Sequence, residues 1–149
     1  MPRTRSLPAL RVLVTLAALQ ALNTVHAQGP FTGTWALDLR TAGERRRNLG
    51  CGRATFELTQ TQDRIAGVHR MTTVGCGRSN EEGPVVGVVV GDTAVLVVTS
   101  GRNGAVVFGR AKRVGGRLAW EVVEGVREGE PAGDSPLILH QGLLDRAAD

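Results

Sequence analysis

The chain has 149 residues, the size of one domain, with a formal net charge of +4 that comes from 18 basic and 14 acidic side chains. Three of those arginines (Arg3, Arg5 and Arg11) fall in the first few turns of sequence, so the remainder is close to neutral. Near-neutral charge, 3% aromatic residues and no Tyr argue against a nucleic-acid-binding protein, which needs a basic surface or a stacking platform.

Residues 1–27 read as a secretory signal peptide. The three arginines precede an apolar run over residues 12–22, and Val25-His26-Ala27 offers the small or aliphatic residues that a signal peptidase requires. The run is too short to span a bilayer, so no membrane span is expected. There is no Cys at the cleavage point and no Arg-Arg pair before the apolar run, which favours the general secretion route without lipid attachment. Cleavage after Ala27 leaves residues 28–149 as a single domain that exists in the periplasm or outside the cell, with 15 basic against 14 acidic side chains. A chain of that size has enough surface to bury one real core.

The rest is dense in Gly and Val, and short apolar runs recur between turn residues. Eight strands are expected, at residues 32–39, 53–60, 64–73, 84–90, 93–99, 105–113, 117–124 and 136–141. No stretch after Ala27 shows an apolar stripe of helical period. Residues 40–52, with Glu44-Arg45-Arg46-Arg47, read as an irregular solvated loop, and 125–135 as a mobile acidic one. Residues 143–149 have room for a helical turn and no more. Two-residue turns are expected at Gly91-Asp92 and Gly115-Gly116, and at either Gln62-Asp63 or Asp63-Arg64. Successive hairpins make a meander, and eight strands with short links close on themselves. The fold class is therefore all-β: an eight-stranded antiparallel up-and-down barrel, in which Gly67, Gly87 and Gly109 allow strands to bend.

The Gly115-Gly116 turn fixes a register. Ala111 then faces Trp120, Gly109 faces Val122 and Arg113 faces Leu118 on one side, and Arg110 faces Glu121 on the other. One side is apolar and the other carries a favourable charge pair. Phe108 and Val123 interrupt the charged side, either as scattered surface residues or as a subunit contact. Oligomeric state is otherwise unread.

Phe31-Thr32-Gly33-Thr34-Trp35 opens the first strand, and Asp63-Arg64-Ile65-Ala66-Gly67 follows at the second hairpin. A Gly-x-Trp at the head of an eight-stranded meander resembles the calycins, the group of lipocalins and avidin-like proteins. The resemblance covers the whole of residues 28–149 in layout but only these motifs in residues. It implies a barrel with a ligand-sized mouth. The departures are real: no Thr-Asp-Tyr motif, no long helix after the last strand, two tryptophans only (Trp35 and Trp120), and His69 where avidins show Tyr. Biotin binding does not carry over.

Cys51 and Cys76, each within Gly-Cys-Gly-Arg, are the only cysteines, and a pair of exported thiols usually oxidises. A hairpin centred on Asp63-Arg64 sets them directly opposite each other. Closing a loop of about 25 residues stabilises by about 3.5 kcal/mol in the chain-entropy picture. No third ligand accompanies them, so no metal site is expected. His69 falls among apolar neighbours, where a structural role is the commoner fate and a ligand contact the sharper one. No nucleophile elbow, acid–base pair, phosphate loop or metal-helix motif is present, so the chain reads as a non-enzyme without a cofactor. Two functions stay open. One is a barrel that holds a small hydrophobic or amphipathic ligand in its lumen, where small inward residues leave room and Trp35, Phe56, Leu58, His69, Met71, Leu96 and Trp120 form the walls. The other is a secreted or envelope interaction protein, an inhibitor for instance, that acts through surface loops over a packed barrel.

Overall fold

The computed structural model describes residues 28–148. The signal-peptide reading therefore lies outside the described residues. The chain forms eight antiparallel strands that close into a barrel in strict sequence order. They are β1 (Gly33–Asp38), β2 (Cys51–Thr61), β3 (Arg64–Val74), β4 (Ser79–Val90), β5 (Thr93–Thr99), β6 (Val106–Val114), β7 (Arg117–Arg127) and β8 (Gln141–Arg146). This is the all-β meander barrel expected from the hairpin pattern.

Period-2 burial explains each strand. Along β5 the pattern Thr93-Ala94-Val95-Leu96-Val97-Val98-Thr99 buries Ala94, Leu96 and Val98 and leaves the others half-buried. On β2, Ala54, Phe56 and Leu58 are buried while Arg53 and Glu57 are exposed. The three tight turns sit at Gln62-Asp63, Gly91-Asp92 and Gly115-Gly116, because Thr61 pairs with Arg64, Val90 with Thr93 and Val114 with Arg117. Gly115 and Gly116 take φ of +54° and +82°, a left-handed pair that fits a two-residue hairpin. The β6–β7 register is the one the turn dictates, down to the Arg110–Glu121 pair on the outside. Val123 is the extra residue of a bulge between Phe108↔Glu124 and Gly109↔Val122, which is why it interrupts the alternation.

Three sequence expectations are corrected. The last strand is Gln141–Arg146 rather than residues 136–141, and it takes in most of the tail read as no more than a helical turn. Residues 136–140 are apolar because they plug the barrel's end, not because they pair in a ladder; apolar content signals burial and does not choose the partner. Within the loop at 40–52, Ala42–Arg46 forms one short helix, α1. Thr41 and Glu44 cap it reciprocally, the side chain of each accepting from the other's backbone N–H. The Cys51–Cys76 disulfide is present, with Cα atoms 5.2 Å apart, but not through direct opposition. The turn at Gln62-Asp63 pairs Cys51 with Val74. Cys76 lies two residues further on, in a tight turn that swings it back: its N–H donates to the Thr73 carbonyl, and the Gly75 N–H donates to the Gly50 carbonyl.

The barrel's two ends differ. The three tight turns share one end with residues 28–32. The other end carries the four long connections: residues 39–50, 75–78, 100–105 and 128–140.

Candidate functional site

The small inward residues are read as leaving an open interior; the apolar side chains named as its walls pack together in one cluster. A Cβ placed on Gly109 would strike the Trp120 ring, whereas one on Gly67 or Gly87 would first strike the backbone carbonyl of Glu57 or Val95, with Leu58 and Leu96 beyond. Gly67 and Gly87 thus sit where the neighbouring strand's backbone comes too close for a side chain, and the Trp120 ring covers Gly109. Trp35, Phe56 and Leu96 are wholly buried, and Leu58 and Trp120 nearly so. Met71 is partly buried and packs against the same cluster. Phe56 stacks on His69 with ring centroids 4.4 Å apart and meets Trp120 at 5.1 Å.

His69 is the polar centre of this cluster. Its Nδ1–H donates to the Thr55 carbonyl at 2.8 Å, and its Nε2 accepts the Leu139 N–H at 3.1 Å. Those two partners require the neutral ring. Burial pushes its pKa down from 6.5 to about 4, against the opposing pull of the Thr55 hydrogen bond. Both ring nitrogens are engaged, so His69 offers no free base for catalysis.

Leu139 belongs to a strap, residues 135–140, that closes the loop-bearing end. Side chains from four strands or their ends hold it. The Asn80 side-chain amide donates to the Leu137 carbonyl at 3.3 Å, and the Ser100 hydroxyl to the Pro136 carbonyl at 2.7 Å. The Trp120 indole N–H donates to the Leu139 carbonyl at 2.7 Å, and His69 supplies the fourth contact. Leu137 and Leu139 are each 5% exposed, so the strap adds to the core. Asn80 and Ser100 are themselves buried. Neither stands out in the sequence, since each is an ordinary polar residue at a strand end.

The opposite end is sealed by a different device. Arg113 lies over the Trp35 ring with its guanidinium 4.3 Å from the centroid. It donates to the carbonyls of Pro30, Gly116 and Arg117. The Trp35 indole N–H donates to the Phe31 carbonyl at 2.9 Å, which ties the segment before β1 across the bottom.

Two open surface grooves lie outside the barrel. One of about 500 Å³ runs along β6–β7–β8 and is bordered by Arg110, Lys112, Glu121 and Gln141. Another of about 580 Å³ lies along β8–β1–β2, among Asp38, Arg40, Arg53, Asp145 and Arg146. In it the Arg40 guanidinium holds the Asp38 carboxyl at a pKa of about 2. Of the seven residues expected to line a lumen, only Trp120 and Leu58 border one of these outer clefts or a third beside β1. Among the described residues, no group of three or more His, Cys, Asp or Glu converges on one point. No helix among them is long and apolar enough to cross a membrane. Comparison with protein-family models, with curated proteins and with solved structures returns no match for this chain.

Proposed function

We propose that this chain is an exported, non-catalytic interaction protein that acts through its surface over a barrel whose interior is ordinary core. The observation that carries this reading is the buried cluster inside: Trp35, Phe56, Leu96 and Trp120 pack there, the Trp120 ring covers Gly109, and the strap adds Leu137 and Leu139 at the mouth. Export by the general secretion route, to the periplasm or beyond, is supported by the basic-apolar-cleavable succession of residues 1–27 and by the disulfide. The eight-stranded meander opened by Gly33-Thr34-Trp35 supports placing the chain beside the calycins in layout.

A second reading has one specific observation in its favour. The strap is fastened by four side-chain hydrogen bonds and by the burial of Leu137 and Leu139, with no covalent tie, and its withdrawal would bare an apolar mouth with His69 at its base. A small hydrophobic ligand would then take over the apolar contacts that Leu137 and Leu139 now make. Titration with fatty acids and a hydrophobic dye separates the two readings, because Trp35 and Trp120 both report on the interior. Unchanged tryptophan emission and melting temperature are expected. Saturable changes at micromolar ligand would establish the lumen reading in its place.

A further inference from the structure

Of the four side chains that hold the strap, His69 is unlike the other three. Asn80, Ser100 and Trp120 each donate to a strap carbonyl, those of Leu137, Pro136 and Leu139. His69 instead accepts, its Nε2 taking the Leu139 N–H at 3.1 Å. It is also the one anchor of the four that can gain a proton in mild acid. Its Nδ1–H is committed to the Thr55 carbonyl, so an added proton goes to Nε2. The ring then presents an N–H to the Leu139 N–H, two donors face to face inside the core. The imidazolium and the amide are both buried, and neither has a partner in place of water.

The strap has little else to keep it down. Among the described residues, residues 135–139 make no backbone–backbone hydrogen bond. Leu137 sits at φ +49°, a left-handed conformation that costs a leucine free energy and is relieved once the strap is free to leave it. What remains is the four anchors and the burial of Leu137 and Leu139. No charged side chain among the described residues faces the ring to offset its charge. On β2, Arg53 and Glu57 are exposed, and Glu57 pairs with Arg70 of β3 on the outside. Glu81 and Glu82 of β4 are exposed, and Glu121 of β7 pairs outside with Arg110. Before the strap, Asp134 pairs with Arg102, and His140 at its end is exposed.

We propose that protonation of His69 lifts the strap from the barrel mouth while the eight-stranded ladder stays closed, so that the strap is an acid-released lid. The inference concerns the strap alone and holds under either reading of function. With the strap down, the ring is kept from water and titrates at about 4; with the strap lifted, it meets solvent and returns toward 6.5. Between those values the open form binds the extra proton. The ratio of open to closed therefore rises as pH falls, by some tens of fold between pH 7 and 4.5.

Amide hydrogen exchange of the full chain tests this, followed residue by residue by NMR between pH 7 and 4.5 and corrected for the intrinsic rate at each pH. The Leu139 amide should be less protected than that of Phe56 in β2 at every pH, because lifting the strap requires no unfolding. Its protection should fall by some tens of fold across the range. It should also be nearly independent of dilute urea, as an opening that exposes little surface requires. His69→Gln, whose side-chain amide serves the same two partners without titrating, should hold Leu139 protection constant with pH. Ser100→Ala is a milder change that removes another anchor and leaves His69 in place. It should lower Leu139 protection at every pH and keep the fall. Equal protection of Leu139 and Phe56 in the wild type overturns the proposal, because the strap then leaves only with the whole barrel. So does Leu139 protection that ignores pH, a fall that survives in His69→Gln, or wild-type protection of Leu139 in Ser100→Ala.

Discussion

The two ends of the barrel are built on different principles. At the turn end, three connections of two residues each reverse the chain with local chemistry, and Arg113 closes the opening over Trp35. At the loop end, the strap is held by side chains that lie 19 to 70 residues away in sequence. The disulfide joins positions 25 residues apart at that same end. One end is specified residue by residue, the other by tertiary agreement among distant segments. Damage at the loop end should therefore cost more than damage at the turn end.

The largest effect is expected from the disulfide. Reduction, or replacement of Cys51 and Cys76 by Ser, should lower unfolding free energy by about 3.5 kcal/mol in a denaturant titration. A loss below about 1 kcal/mol would mean that the cross-link closes a loop already ordered in the unfolded chain. Next comes acid. His69 is neutral in the fold, with a pKa of about 4, and titrates near 6.5 when unfolded. Between those values the unfolded chain binds the extra proton, so this contribution is complete above pH 6.5 and falls as pH drops toward 4. At pH 4.5 the loss should reach about 2 kcal/mol by linkage. His69→Gln, less stable at neutral pH, should lack that part of the pH dependence. A wild-type profile that superimposes on the variant's between pH 7 and 4.5 would remove His69 as the cause. The smallest effect belongs to the turn end. Gly116→Ala places a Cβ at φ +82° in open surroundings, and should cost about 1 kcal/mol by thermal melting. A cost above that of losing the disulfide would reverse the comparison.

The same division explains what the sequence made legible. The Gly115-Gly116 turn and the alternation around it are enough to read the β6–β7 register, because turn type and side-chain period are local. The disulfide partners are readable from compartment and count, while their geometry is not, since it hangs on which of two overlapping turns closes β2–β3. The capping box Thr41-x-x-Glu44 is a signal for α1 that the run of arginines obscures. The strap misleads, because Pro136-Leu137-Ile138-Leu139 has a strand's composition and a plug's position. The reason for the inward glycines is equally non-local: the Trp120 ring covers Gly109, and at Gly67 and Gly87 the backbone carbonyls of Glu57 and Val95 stand where a Cβ would be.

The seam between β1 and β8 rests on only two paired positions, Trp35↔Arg146 and Ala36↔Asp145, where β2 and β3 share ten. Every other ladder joins neighbours in the chain, so the loop that each must close is short beside the one the seam closes. The seam alone must bring together strands about a hundred residues apart, and its cost comes late for a small return. Closure should therefore be the last step of assembly, and the seam the first ladder to part when the barrel opens. Amide protons of β8 should exchange with solvent well before those of β2 and β3, through a barrel that breathes along one line.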